Sequence, residues 1–136
     1  MTMLRKHSIL IVDDDPDDRE SIRDAFLENK LLHEYLFFPT GDELVQYLQG
    51  IEGGASYPSI ILLDLNMPGM DGREALRHIK SNQDFRHIPT IILSTSSSQT
   101  DRQVSYALGA NCFITKPDTF NKLVDITGSI ARLWVG

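Results

Sequence analysis

The sequence predicts an α/β fold in which helices cover both faces of a parallel sheet. Short apolar runs alternate with amphipathic stretches five times along the 136 residues, which is the element order of such folds. The central run, Ile60–Leu63, is continuously aliphatic, as expected of a strand that is buried on both faces. No repeat or long linker divides the chain, so we expect a single domain over residues 1–136.

The five predicted strands are apolar runs that end at polar or turn-forming residues. They cover residues 8–12, 35–38, 60–63, 90–93 and 112–115. Short connections to the intervening helices imply right-handed crossovers. If the strands take the flavodoxin-like, doubly wound order 2-1-3-4-5, the first and third strands are neighbours, and a ligand crevice lies outside their carboxyl ends.

Five helices follow the strands, each with apolar residues at three- and four-residue spacing. The first is predicted to begin after Asp15, an N-cap residue followed by Pro16, and to run to about Asn29. The fourth is predicted to end at Gly109, which suits the position after a helix C-terminus. Apolar stripes mark the other helices at residues 44–48, 75–79 and 120–134.

Composition excludes several functional classes. Thirteen basic against nineteen acidic residues give a net charge of −6, which argues against a nucleic-acid surface. No apolar run approaches the roughly 20 residues of a membrane span. A single cysteine, Cys112, fits a reducing compartment and a cytoplasmic protein. The four histidines lack the spacing of zinc ligands.

Polar side chains follow four of the predicted strands. Asp13 and Asp14 follow the first, Asp64 the third, Ser94 the fourth and Lys116 the fifth. If these strand ends meet, the three carboxylates repel one another and burial adds to the cost, so we expect at least one raised pKa. Oxygen ligands without His or Cys favour Mg²⁺. A carboxylate beside such a metal can act as a nucleophile toward phosphorus.

Each of these residues also has a structural explanation when it is taken alone. An acidic helix start, a polar loop and a solvated strand-end lysine are all common. Their joint appearance, each directly after an apolar run, is what favours an aspartyl-phosphate site.

The motifs around these residues resemble the receiver domain of two-component response regulators. The matching segments occur in family order at residues 12–14, 63–72, 93–95, 109–110 and 113–117. The long loop before the central strand, the run at residues 93–96 and the Leu133-Trp134 ending are similar to the phytochrome-associated subgroup of single-domain regulators.

The resemblance implies that Asp64 is the phosphoacceptor, in a protein that catalyses its own phosphorylation and dephosphorylation and is not otherwise an enzyme. It also implies a Mg²⁺ cofactor. Asp14, Asp64 and the carbonyl oxygen of Asn66 would bind the metal directly, and Asp13 would reach it through water.

The resemblance further implies that Ser94 is the hydroxyl switch residue, Phe113 the aromatic switch residue and Lys116 the contact to the phosphoryl group. It suggests a cis peptide bond before Pro117. We expect Ser94 to move toward the phosphoryl group and Phe113 to turn into the space that Ser94 vacates, which changes the surface of helix 4, strand 5 and helix 5.

The implied partner is a histidine kinase or a histidine phosphotransfer protein. Because the predicted elements use the whole chain, we expect no effector domain, and output through protein contact or as a phosphorelay intermediate. A homodimer through helix 4, strand 5 and helix 5 is a further expectation, in which Trp134 belongs either to that face or to the core.

Two functions from other classes remain open. A haloacid-dehalogenase-type phosphatase also uses an Asp nucleophile after a buried strand, but Asn66 stands where its second Asp is expected. A flavodoxin-like cofactor binder needs a phosphate-binding loop after the first strand, and Asp13-Asp14-Asp15 repels phosphate unless a metal is present.

Overall fold

A computed structural model of the chain describes residues 8–52 and 57–135, so part of the long loop before the central strand lies outside the described residues. The strands are β1 Ser8–Val12, β2 Glu34–Phe38, β3 Ile60–Leu63, β4 Thr90–Ser94 and β5 Cys112–Thr115. The helices are α1 Pro16–Glu28, α2 Gly41–Gln49, α3 Gly72–Ser81, α4 Gln99–Ala107 and α5 Phe120–Ile130. All strands pair in parallel in the order β2-β1-β3-β4-β5, which confirms the predicted fold and strand order.

The sheet separates two apolar clusters because successive side chains of a strand point to opposite faces. In β1, Leu10 and Val12 join the cluster under α2 and α3, whereas Ile9 and Ile11 join the cluster under α1 and α5. Every residue of β3 is buried. The continuous aliphatic run at Ile60–Leu63 is therefore explained by a central strand with helices on both sides.

The helix ends follow from local sequence chemistry. Asp15 caps α1, accepting a hydrogen bond from the Asp17 amide at 2.9 Å, as predicted. Asp71 caps α3 in the same way through the Glu74 amide at 3.0 Å. Gly109 has a φ of 106° after the end of α4, a conformation that favours glycine. The predicted position of Gly109 is confirmed.

The C-terminal part of the chain departs from the prediction in helix type. The α-helical hydrogen bonding of α5 ends at Ile130, and Ala131–Val135 form a π-helical turn. Trp134 is half-buried against the cluster under α1 and α5, which supports its core assignment. Phe120, predicted to lie on the apolar stripe, is 43% exposed.

No peptide bond among the described residues is cis. The predicted cis bond before Pro117 is therefore wrong for this structure. A bond before proline still prefers the trans form by about 0.5 to 1 kcal/mol, and the trans form is the one seen here.

Within the described ranges, no helix has both the length and the apolar character that crossing a membrane requires.

Candidate functional site

Three acidic side chains meet at the carboxyl ends of β1 and β3. Asp13 and Asp64 are only 2% and 6% exposed, whereas Asp14 is exposed. One carboxylate oxygen from each residue lies within 4.8 Å of the others. The strand order therefore brings together the three carboxylates that the sequence predicts.

The backbone positions these carboxylates through the pairing of neighbouring strands. Val12 is in register with Leu63, so the next residues, Asp13 and Asp64, leave the sheet side by side. The Asp64 amide donates to the Val12 carbonyl at 2.9 Å, which extends the ladder by one residue. This extension fixes both buried aspartates on rigid backbone, the usual location of ligand sites in open α/β sheets.

Lys116 reaches the same crevice from the end of β5. Its Nζ lies 2.7 Å from Oδ2 of Asp13, 2.8 Å from Oδ2 of Asp18 and 3.6 Å from Oδ2 of Asp64. Its backbone amide donates to the Ser94 carbonyl at 2.7 Å, which fixes the start of the side chain. Two of the three ammonium donors are thus engaged by carboxylates, and Asp64 lies just beyond hydrogen-bond distance.

Burial and hydrogen bonding shift the pKa values of Asp13 and Lys116. Burial raises the pKa of Asp13, although the hydrogen bonds from Lys116 and the Asp15 amide oppose the shift. Burial alone would lower the pKa of Lys116, but hydrogen bonds to Asp13 and Asp18 raise it above its ordinary value. The expected raised pKa in the acidic cluster is thus confirmed for Asp13, and Lys116 remains a cation.

Asp14 and Asp64 have fewer internal partners than Asp13. Both carboxylate oxygens of Asp13 accept hydrogen bonds, one from the Asp15 amide at 3.0 Å and one from Lys116. The side chain of Asp14 has no hydrogen-bond partner among the described residues. Asp64 Oδ1 accepts only a long bond of 3.4 Å, from the amide of the exposed Asn66. Carboxylate oxygens with few internal hydrogen bonds fit a divalent cation, which prefers hard oxygen ligands.

Ser94 is the last residue of β4, and its side chain is fully buried. Its hydroxyl accepts a long hydrogen bond of 3.3 Å from the Ser96 amide, and no hydrogen bond joins it to Asp64. Ser96 in turn donates through its own hydroxyl to Asp101 Oδ2 at 2.6 Å, and Asp101 also pairs with Arg73 of α3. The loop after β4 is therefore tied to both α3 and α4.

Phe113 is buried, at 4% exposure. The guanidinium of Arg102 lies 4.8 Å from the centre of its ring, and the Tyr106 hydroxyl accepts from its backbone amide at 3.0 Å. We expected Phe113 to turn inward when Ser94 moves. In this structure the ring packs in the cluster under α2 and α3. The turn of Phe113 on phosphorylation stays a prediction.

Sequence reasoning missed three residues that shape the site. Asp18 pairs with Lys116, Arg19 donates to the carbonyl of Asp13 at 2.7 Å, and Gly72 allows α3 to approach the end of β3. The position of Asp18 in the first turn of α1, directly after the strand end that carries Asp13 and Asp14, is a signal that could have indicated it.

Comparison with known proteins identifies relatives that match almost the whole chain. A family model described as the response regulator receiver domain matches residues 9–127. Response regulator Rcp1 of Synechocystis sp. is 34% identical over 129 residues, which are 93% of this chain and 88% of Rcp1. The matched range, residues 9–127, includes every residue of the predicted site.

Two solved structures show the same likeness in three dimensions. The phosphorylated cyanobacterial phytochrome response regulator RcpA is 37% identical, with a TM-score of 0.86 over 96% of this chain and 94% of RcpA. A Mn²⁺-bound form of Rcp1 is 34% identical, with a TM-score of 0.82 over 94% of each chain. The expected resemblance to phytochrome-associated regulators is therefore confirmed as a similarity.

Proposed function

The chain belongs to the response regulator receiver family of two-component phosphorelay signalling, and we propose that Asp64 is the residue that accepts the phosphoryl group. Receiver domains interact with histidine kinases or phosphotransfer proteins. The observation that carries the proposal is the meeting of three carboxylates within 4.8 Å, with the Lys116 ammonium 3.6 Å from Asp64.

The donor set fits a divalent metal, as expected for a receiver domain, and we propose that the metal is Mg²⁺. Asp14, Asp64 and the Asn66 carbonyl would be direct ligands. Asp13 would act through water, because both of its carboxylate oxygens already accept hydrogen bonds. When bound, the metal would neutralise charge on the phosphoryl oxygens.

In the proposed reaction a carboxylate oxygen of Asp64 attacks the phosphorus of a phosphohistidine. The new O–P bond forms as the P–N bond breaks, and the imidazole of the donor leaves with its electron pair. Lys116 would stabilise the negative charge on the transferred group, since charge-assisted hydrogen bonds to phosphoryl oxygens are strong. Asp64 is well placed for this role because it is buried and directly follows β3, and its side chain accepts a single long hydrogen bond from the residues that the structure describes.

The switch would begin at Ser94. A phosphoryl group on Asp64 brings roughly −1.5 to −2 charges and three strong acceptors. Its attraction competes with the 3.3 Å hydrogen bond from the Ser96 amide to the Ser94 hydroxyl. A shift of the population from 1:99 to 99:1 requires about 5.5 kcal/mol. Hydrogen bonds from Lys116 and Ser94 at about 1.5 to 3 kcal/mol each would supply most of it.

The output would leave through the loop after β4. We propose that the movement passes from Ser94 to Ser96 and Asp101, because the amide of Ser96 donates to the Ser94 hydroxyl and its hydroxyl donates to Asp101. This route ends at α4, on the surface that α4, β5 and α5 form. Phe113 would keep its switch role as the ring against which this surface repacks.

Incubation with acetyl phosphate and Mg²⁺, followed by intact-mass measurement and site mapping, tests the phosphoacceptor. The wild-type chain should gain one phosphoryl group, and Asp64→Asn should gain none while remaining folded. Asp17→Asn is the matched control because this exposed carboxylate on α1 makes no hydrogen bond or ion pair with another side chain among the described residues. Phosphoryl incorporation into Asp64→Asn at the wild-type level would refute the assignment.

The partner is proposed to be a histidine kinase or a histidine phosphotransfer protein, and the likeness to RcpA favours a phytochrome-type kinase. The homodimer through α4, β5 and α5 and the cytoplasmic location remain predictions. Sedimentation with and without a phosphoryl mimic tests the dimer. Neither the haloacid-dehalogenase phosphatase nor the flavodoxin-like cofactor binder is proposed, because the family that matches residues 9–127 is the receiver family.

A further inference from the structure

Asp18, in the first turn of α1, is a direct partner of Lys116. Its Oδ2 lies 2.8 Å from the ammonium nitrogen, nearly as close as that of Asp13 at 2.7 Å. The lysine side chain is 13% exposed and that of Asp18 is 39% exposed, so the contact lies at the solvent-accessible side of the lysine.

The geometry leaves one donor of the ammonium for Asp64. Lysine carries three N–H donors on a flexible stem, and a single partner would leave the ammonium free to swing. Two carboxylates on different elements, Asp13 after β1 and Asp18 on α1, hold it from two directions. The remaining donor faces the third nearby carboxylate, Asp64, across 3.6 Å.

Asp13 alone does not hold the Lys116 ammonium in this orientation. Its second carboxylate oxygen already accepts from the Asp15 amide, and the residue also belongs to the acidic cluster that fits a cation. Asp18 is not part of that cluster. Its carboxylate can therefore stay paired with Lys116 whether or not the acidic cluster holds a cation.

We propose that Asp18 is a positioning residue for phosphoryl transfer, which holds Lys116 in place from α1 so that the ammonium meets the phosphoryl group on Asp64. The inference rests on the proposed function, because it concerns the same reaction. Asp18 itself need not touch the phosphoryl group, and it acts entirely through Lys116.

The test compares Asp18→Asn with Asp17→Asn. Both variants remove one negative charge from the same helical turn, but only Asp18 contacts Lys116. With acetyl phosphate and saturating Mg²⁺, the phosphorylation rate constant of Asp18→Asn should be about threefold to tenfold below that of Asp17→Asn. Asp18→Glu, which keeps the charge, should recover most of the loss. Equal rates for the two asparagine variants would overturn the proposal.

A second comparison separates positioning from a general effect on the fold. In a Lys116→Ala background, the further change Asp18→Asn should have the same effect as Asp17→Asn, because the lysine through which it acts is gone. A persisting difference between the two would also overturn the proposal. Thermal unfolding of each variant shows whether it is folded.

A third measurement needs no phosphoryl transfer. The NMR resonances of the Lys116 Cε methylene should shift in Asp18→Asn and stay in place in Asp17→Asn. If they shift while Asp64→Asn still accepts phosphate, the proposed phosphoacceptor is wrong but the lysine contact is real. If they stay in place, the positioning role fails independently of the phosphoacceptor.

Discussion

Gly72, the first residue of α3, lies so close to the end of β3 that an alanine does not fit without movement. A Cβ at this position would be 2.1 Å from the carbonyl oxygen of Asp64 and 2.6 Å from the Cα of Leu65. Both neighbours are backbone atoms, which cannot rotate away as a side chain can. We therefore expect Gly72→Ala to push α3 and the end of β3 apart by roughly 1 Å.

The cost follows from the overlap and from one hydrogen bond. Overpacking of a close contact typically costs about 1 to 3 kcal/mol. The Gly72 amide also donates to the Leu65 carbonyl at 2.9 Å, a bond worth about 0.5 to 1.5 kcal/mol that separation would weaken. The better helix propensity of alanine returns up to about 1 kcal/mol. The free energy of unfolding should fall by about 2 kcal/mol, and phosphorylation of Asp64 should slow because its backbone moves.

Urea denaturation followed by circular dichroism measures the loss, provided that the m-value is unchanged. Gly50→Ala is the matched control, since a Cβ there would meet its nearest atoms at 3.5 and 3.6 Å and the φ of Gly50 is an ordinary −84°. That variant should stay within about 1 kcal/mol of the wild type. A Gly72→Ala protein as stable as Gly50→Ala would refute the steric reasoning.

Three further predictions concern charge, metal and core. Hydrogen bonds from Ser96 and Arg73 lower the pKa of Asp101 below its ordinary value of 3.8. The ionised carboxylate therefore stabilises the fold fully above pH 3.8, and this stabilisation is lost as the pH falls through the lowered pKa. The stability difference between wild type and Asp101→Asn should accordingly be constant above about pH 5 and shrink in acid, as urea titrations at several pH values would show. Mg²⁺ at 100 times its Kd should stabilise the wild type by about 2.7 kcal/mol and should stabilise Asp14→Asn much less. The shift in the midpoint of thermal unfolding on adding Mg²⁺ measures this difference, and equal shifts for the two proteins would contradict the metal assignment. Phe113→Ala should lower the free energy of unfolding by about 3 to 5 kcal/mol because the ring is buried, and a loss below about 1 kcal/mol in urea would contradict that burial.

The fold could be predicted because each strand carries its own signal. Continuous aliphatic runs such as Ile60–Leu63 occur where both faces of a strand are covered. Asp15 and Gly109 mark helix ends through chemistry that acts within a few residues. The acidic cluster could be predicted for a related reason, since the order of β1 and β3 is enough to bring the ends of both strands together.

The missed features depend on distances that only the packed structure defines. The role of Gly72 comes from the separation of α3 and β3, and φ at this position gives no hint of it. The burial of Phe113 depends on how α4 lies over β5, where Arg102 covers the ring. The π-helical turn after Ile130 interrupts a stripe that looks uniform in sequence, because apolar spacing does not distinguish hydrogen-bond patterns that differ by one residue.

The contact between Asp18 and Lys116 also changes the charge balance of the site. Asp13, Asp18 and Asp64 lie within 3.6 Å of the Lys116 ammonium, and Asp14 adds a fourth carboxylate beside Asp13 and Asp64. The nearby Arg19 donates to a carbonyl oxygen and not to a carboxylate. An anionic phosphodonor would meet net repulsion at these side chains unless a divalent cation compensates most of their charge.

The same charge balance explains why a phosphoryl group on Asp64 would affect neighbouring side chains. Under the proposed function it adds negative charge at a buried position, at the sheet edge where β4 ends in Ser94 and Lys116 follows β5. Lys116 is held by its two carboxylates, so its displacement is limited. Ser94 is neutral and fully buried, and within the described part of the chain its hydroxyl makes one hydrogen bond, of 3.3 Å, so a movement of this side chain would break a single weak bond. Charge, and not new apolar burial, would therefore drive the change that reaches α4.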